Sequence, residues 1–115
     1  MTGDNDARLA ELTRVRSVAA LPVAGRYRLI DFTLSGMVNS GISNVGVTTR
    51  SNYRSLMDHL GSGKEWDLNR KLYGLRILPP YIQGGEQYRG DMDVLHGIKT
   101  FLEHSKQKYV LIAHG

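Results

Sequence analysis

Gly25-Arg26-Tyr27-Arg28-Leu29-Ile30-Asp31-Phe32-Thr33-Leu34-Ser35-Gly36-Met37-Val38-Asn39-Ser40-Gly41 packs a basic turn, a helix start and a helix stop into one short stretch. Asp31 is the expected N-cap, because its carboxylate can accept hydrogen bonds from the free amides of a first helical turn. Gly41 can close the same helix in the left-handed conformation. Leu34, Met37 and Val38 follow i, i+3, i+4 spacing, which gathers them on one face and leaves Ser35, Asn39 and Ser40 on others. Arg26 and Arg28 stand just before the cap, where an anion could be held.

Outward from this helix the pattern alternates. Upstream, Ser17 to Pro22 is apolar and ends at a proline, so it reads as extended chain. Residues 1–13 form a separate segment: Asp6 can cap a helix there, but Leu9 and Leu12 are its only apolar edge, so it is expected to be poorly anchored. Residues 14–115 form the remainder of one partial domain. Downstream, Ile42 to Thr49 is strand-like, with Val45 and Val47 on one face. Ser51 is placed to cap a second helix carrying Tyr53, Leu56, Met57 and Leu60, closed by Gly61. A polar stretch follows, in which Trp66 is expected to anchor a surface loop to the core.

Leu75 to Leu78 reads as a short strand ended by Pro79-Pro80, and Gly84, Gly85 and Gly90 make residues 81–90 a mobile loop by composition. A third helix is expected beyond it, with Val94, Leu95, Ile98, Phe101 and Leu102 on one face and Asp91 and Asp93 complementing its dipole. Tyr109 to Ala113 is a continuous apolar run, as in a strand covered on both faces. The alternation predicts an α/β fold with an open, mostly parallel sheet and flanking helices.

Composition narrows the class. The 115 residues are 41% hydrophobic and 23% charged, ordinary values for one soluble globular domain. No apolar run is long enough to span a bilayer, and Asp4, Asn5 and Asp6 occupy the place of a signal-peptide core, so no membrane partner is expected. The absence of cysteine excludes disulfides and thiolate metal sites and fits a cytoplasmic location. A net charge of +4 favours anionic partners. The basic residues are scattered, however, so no nucleic acid is expected as a partner, and a small basic nucleic-acid-binding module is kept only as an alternative.

The run ALPVAGRYRLIDFTLSGMVNSGI, followed by NVGVTTR, resembles the sugar-phosphate nucleotidyltransferases of glycogen and starch synthesis, the glucose-1-phosphate adenylyltransferases. Arg16, Ala20, Pro22, Gly25, Tyr27, Arg28, Ile30, Asp31, Phe32, Leu34, Ser35, Asn39, Ser40, Gly41 and Ile42 fit the family pattern. The runs HLGSGKEWDLNRKLYGLRILPP and YRGDMDVLHGIKTFLEHSKQKYVLIA extend the likeness. The resemblance implies a Rossmann-like nucleotidyltransferase domain, incomplete in this chain.

Departures from the family pattern carry information too. Catalytic members open with a glycine-rich phosphate loop, whereas residues 1–13 hold only Gly3. Val18 replaces a basic residue. Gly90-Asp91-Met92-Asp93-Val94 stands for a G-T-A-D-A motif, and Ala113-His114-Gly115 ends the last strand where catalytic members place a magnesium-binding Gly-Asp pair. Such losses resemble the regulatory, catalytically degenerate subunit that some Gram-positive bacteria pair with a catalytic adenylyltransferase. An alternative keeps the chain as a fragment of a catalytically active subunit. The resemblance further implies a hetero-oligomer, a sugar-phosphate effector, and Mg2+ only at the catalytic partner, with no cofactor held by this chain.

Site expectations follow. Arg16 and Arg28 match basic positions near the family's phosphate-bearing effector, and guanidinium groups suit phosphate through paired donors. The other reading has Arg28 paired with a carboxylate such as Asp31 and Arg16 solvated. Gly90, Asp91, Met92 and Asp93 border a nucleotide pocket by resemblance, or simply cap the third helix. His59, His96, His104 and His114 lack metal-ligand spacing and read as helix-surface or helix-end residues. No nucleophile with a general base and no pair of metal-holding carboxylates is placed, so catalytic and metal residues are expected to be none.

Overall fold

The structure is a computed structural model and describes residues 9–14, 16–49, 53–70, 73–78, 94 and 98–114. Along them run α1 (Ala10–Thr13), β1 (Pro22–Val23), β2 (Tyr27–Arg28), α2 (Leu29–Asn39), β3 (Val45–Thr48), α3 (Arg54–Leu60), β4 (Leu75–Leu78) and α4 (Lys99–Glu103). Short 3-10 turns at Val18–Ala20 and Lys64–Trp66 fill two of the connections.

The organising helix forms with one change at its start. Arg28 is extended at φ −124° and ψ 159° and stands in the N-cap place. Asp31 is instead inside the first turn, and its Oδ2 accepts the backbone N–H of Arg28 at 2.9 Å. A carboxylate three residues into a helix reaches back to the cap amide, the acidic half of a capping box, so the expected N-cap moves from Asp31 to Arg28. The earlier start adds Ile30 to the buried face with Leu34, and Met37 and Val38 pack against the same core.

The stop falls where the glycine demands it. Gly41 lies at φ +81°, and its N–H donates to the Val38 carbonyl at 2.9 Å while that of Ile42 donates to Met37 at 3.0 Å. These two bonds make a Schellman motif, which satisfies carbonyls that the helix end would otherwise leave open.

Two small sheets flank α2. Pro22 pairs with Arg28 and Val23 with Tyr27 in an antiparallel hairpin whose turn is Ala24 to Arg26. Val45 to Thr48 pair with Leu75 to Leu78 in parallel register. A parallel pair needs a crossover connection, which α3 and the Lys64–Trp66 turn supply. The core joins Ala19, Ala20, Ile30, Leu34, Val45, Val47, Leu56, Leu60 and Leu68, with Trp66, Leu75 and Ile77 packed on it. Trp66 thus ties its loop to the core, as expected. Phe101 of α4 lies against β3 and β4: a Cβ placed on Gly46 would sit 3.0 Å from the Phe101 ring and 3.1 Å from Leu78.

Three segments depart from the sequence reading. Val18 to Ala20 form a 3-10 turn instead of extended chain, because Leu21 N–H closes back on the Val18 carbonyl at 3.0 Å and buries Ala19 and Ala20. Tyr109 to Ala113 is not a strand, and the Tyr109, Val110, Leu111 and Ile112 side chains are 80%, 56%, 64% and 52% exposed. An apolar run buries itself only when other elements cover both faces, and here they do not. In α1, Leu12 is exposed while Thr13 is fully buried, its hydroxyl donating to the Leu9 carbonyl at 3.0 Å. The architecture is α/β with a small parallel sheet and flanking helices. The proposed Ser51 cap, the 81–90 loop and Asp91 and Asp93 lie outside the described residues.

Candidate functional site

The densest polar arrangement among the described residues joins the start of α2 to α3. Ser55 and His59 stand one turn apart on α3, and i, i+4 spacing puts them on one side of that helix. Arg28 Nη1 donates to Ser55 Oγ at 2.8 Å and to the Ser55 carbonyl at 3.0 Å. His59 Nε2 meets Asp31 Oδ1 at 2.6 Å, with side chains 16% and 11% exposed. An ionised carboxylate only accepts, so Nε2 carries the proton in this contact. The ring of His59 also meets Trp66 edge-on, with centroids 6.2 Å apart.

Asp31 is therefore shared: one oxygen holds the Arg28 amide and the other holds His59. Its position in the first turn adds a favourable interaction with the helix dipole. By residue type, Ser55, His59 and Asp31 suggest a nucleophilic relay, but the bonds make a different object. Ser55 Oγ accepts from the Arg28 guanidinium, and no hydrogen bond among the described residues joins it to His59, whose ring meets Asp31 instead. The set is two parallel cross-links from the start of α2 to α3.

Of the residues singled out from sequence, Arg28 is half-buried and in this cluster, and its guanidinium goes to Ser55 while only its backbone amide meets Asp31. Arg16 is half-buried just before the Val18–Ala20 turn and forms no hydrogen bond or ion pair with another described residue. Gly90, Asp91, Met92, Asp93 and His96 lie outside the described residues. His104 Nδ1 meets its own helix at the Thr100 carbonyl, 2.7 Å away, and His114 is exposed. Among the described residues no group of histidine and acidic side chains could hold a metal ion, and no helix is long and apolar enough to cross a membrane.

Ser55 and His59 are the pair that sequence reasoning missed as partners of Arg28 and Asp31. The available signal was their shared spacing, each one residue before a buried leucine, Leu56 and Leu60.

The nucleotidyl transferase family model matches residues 1–114. The chain belongs to the nucleotidyl transferase family. Its relatives include the glycogen biosynthesis protein GlgD of Geobacillus stearothermophilus, 51% identical over 93% of this chain and 32% of that protein. GlgD of Bacillus subtilis is 46% identical over 93% of this chain and 32% of its own length. The glucose-1-phosphate adenylyltransferase of Halalkalibacterium halodurans is 42% identical over 100% of this chain and 30% of its own. This nucleotidyl transferase chain thus spans about a third of the length of the curated relatives it matches. No solved structure matches it.

Proposed function

We propose that this chain is part of the regulatory-type subunit of a glucose-1-phosphate adenylyltransferase and supports ADP-glucose synthesis from ATP and glucose 1-phosphate in glycogen biosynthesis. The observation that carries the reading is the 51% identity to a glycogen biosynthesis protein GlgD, against 42% for the adenylyltransferase of Halalkalibacterium halodurans. Val18 and Asp91 support it as departures from the family's sequence pattern, an apolar residue in place of a basic one and an extra carboxylate in the G-T-A-D-A motif, since adenylyl transfer needs positive charge around the triphosphate. In this reading the subunit works in the cytoplasm within a hetero-oligomer. The catalytic partner holds Mg2+, and a sugar phosphate acts as effector at Arg16 and Arg28. Gly90 to Asp93 border the degenerate nucleotide pocket.

A second reading, a catalytically active subunit, is favoured by the alignment of adenylyltransferases along 100% of the chain. A pyrophosphate-release assay separates the two. The intact protein alone, with magnesium, ATP and glucose 1-phosphate, is expected to stay near background and to change the activity of a catalytic subunit when mixed with it. Clear turnover by the protein alone would establish the second reading instead.

A further inference from the structure

We propose that the outward face of α2 is a contact between two copies of this chain, packed antiparallel about position 34. Leu29, Phe32, Gly36 and Asn39 recur at i, i+3, i+7 and i+10, the spacing of a coiled-coil seam, on the side of α2 opposite Ile30, Leu34 and Val38. All four are exposed, Phe32 by 59%. The Tyr27 ring lies beside that of Phe32, with centroids 6.4 Å apart, and widens the apolar patch. A helix with one side in water ordinarily carries charge there. From Leu29 to Ser40 the one charged residue is Asp31, which is buried and bonded to His59.

The face fits itself. Position 34 lies midway between Phe32 and Gly36 and midway between Leu29 and Asn39, so an antiparallel second copy sets each Phe32 against a Gly36 and each Leu29 against an Asn39. Such a pairing is isologous, with every contact made twice about one two-fold axis. Open space surrounds the place of a Gly36 Cβ, and a glycine lets a neighbouring group approach the backbone, which gives the Phe32 ring of the other copy a recess to enter. The chain carries a net charge of +4, but this face contributes none, so two copies meet here without like-charge repulsion. Two short helices bury less than a standard interface, and the contact is therefore sought by trapping it. It depends on neither the regulatory nor the catalytic reading of the subunit.

Disulfide trapping of the intact protein tests the contact. An equimolar mixture of Leu29→Cys and Asn39→Cys copies is expected to form a cross-linked dimer well above the level of the unaltered protein. Either variant alone should not, because its two thiols stand about 15 Å apart along the paired helices and a disulfide spans only ~7 Å between Cα atoms. Adding Phe32→Glu to both copies should abolish the cross-link, since it buries an unpaired carboxylate in each recess. Exchanging the two seam residues in both copies, Phe32→Gly with Gly36→Phe, keeps ring against glycine and should retain it. The proposal is overturned if the mixture cross-links no more than the unaltered protein, as when the rest of the polypeptide covers α2, or if one variant alone cross-links as well as the mixture. It is overturned equally if Phe32→Glu leaves the cross-link unchanged, or if the exchanged copies lose it as the Phe32→Glu copies do.

Discussion

His59 and Asp31 lie 28 positions apart in sequence and meet at 2.6 Å, the shortest link between α2 and α3 among the described residues. Asp31 closes the first turn of its own helix with one oxygen and anchors a neighbouring helix with the other. Local capping and tertiary docking therefore depend on one carboxylate.

That sharing sets the sign of a mutational contrast. His59→Ala removes one bond of the carboxylate, and Asp31→Ala removes both and strips the cap. Hydrogen bonds to charged groups contribute about 1.5–3 kcal/mol each. His59→Ala is expected to destabilise within that range and Asp31→Ala by roughly 1 kcal/mol more, the usual worth of a cap. Denaturant midpoints of the intact protein check the order; equal losses would contradict the shared role.

Ser17 gives the opposite sign. It is 4% exposed, and its hydroxyl has no hydrogen-bond partner among the described residues. A buried polar group left unsatisfied costs about 1–3 kcal/mol, so Ser17→Ala is expected to raise the midpoint of unfolding. A clear drop would mean that the hydroxyl is bonded in solution.

Gly36 and Gly41 have open space where a Cβ would go, yet alanine should act oppositely at the two. Gly36 is inside α2, where alanine is favoured over glycine by about 1 kcal/mol. Gly41 sits at φ +81°, where an L side chain costs about 1–2 kcal/mol. Thermal melts of the two variants should move in opposite directions.

Gly74 is the least replaceable glycine described. A Cβ there would run into the Leu68 carbonyl oxygen, and backbone cannot rotate away as a side chain can. Because Gly74 accepts Val45 N–H at 3.1 Å just before β4, Gly74→Ala should also disturb the parallel pairing. Faster amide exchange at Val45 and Val47 than in Gly46→Ala is the expected result.

Ala24 carries left-handed strain of its own at φ +50° in the hairpin turn. Glycine adopts that conformation without the Cβ clash, so Ala24→Gly should stabilise by a few tenths to about 1 kcal/mol. The gain would show as a higher melting temperature with the β1–β2 pairing unchanged.

Much of the fold was written locally. The apolar face of α2 and its glycine stop follow from spacing and from one residue that tolerates positive φ, so Gly41, Leu34 and Val38 could be read without neighbours, whereas its start lies earlier than the Asp31 cap expected. The strand propensities of Val45 to Thr48 and Leu75 to Leu78 were legible for the same reason. Which strand pairs with which was not, since the β3–β4 register depends on how the crossover packs. The apolar run at Tyr109 to Ile112 shows the limit: hydrophobicity states a preference for burial, and only surrounding elements can grant it.

The candidate site divides in the same way. The sequence by itself placed Arg28 and Asp31 at a helix start and set Ser55 and His59 one turn apart, because these are facts of short-range geometry. Only the tertiary structure decided that the guanidinium would choose Ser55 over Asp31, and that His59 would take the carboxylate instead. Those bonds cross 27 and 28 positions and exist because α2 and α3 both pack on the Val18–Ala20 turn, within the one core that holds Leu34, Leu56 and Leu60. Hydrophobic packing, which carries no direction of its own, selected the partners of the polar groups at its edge.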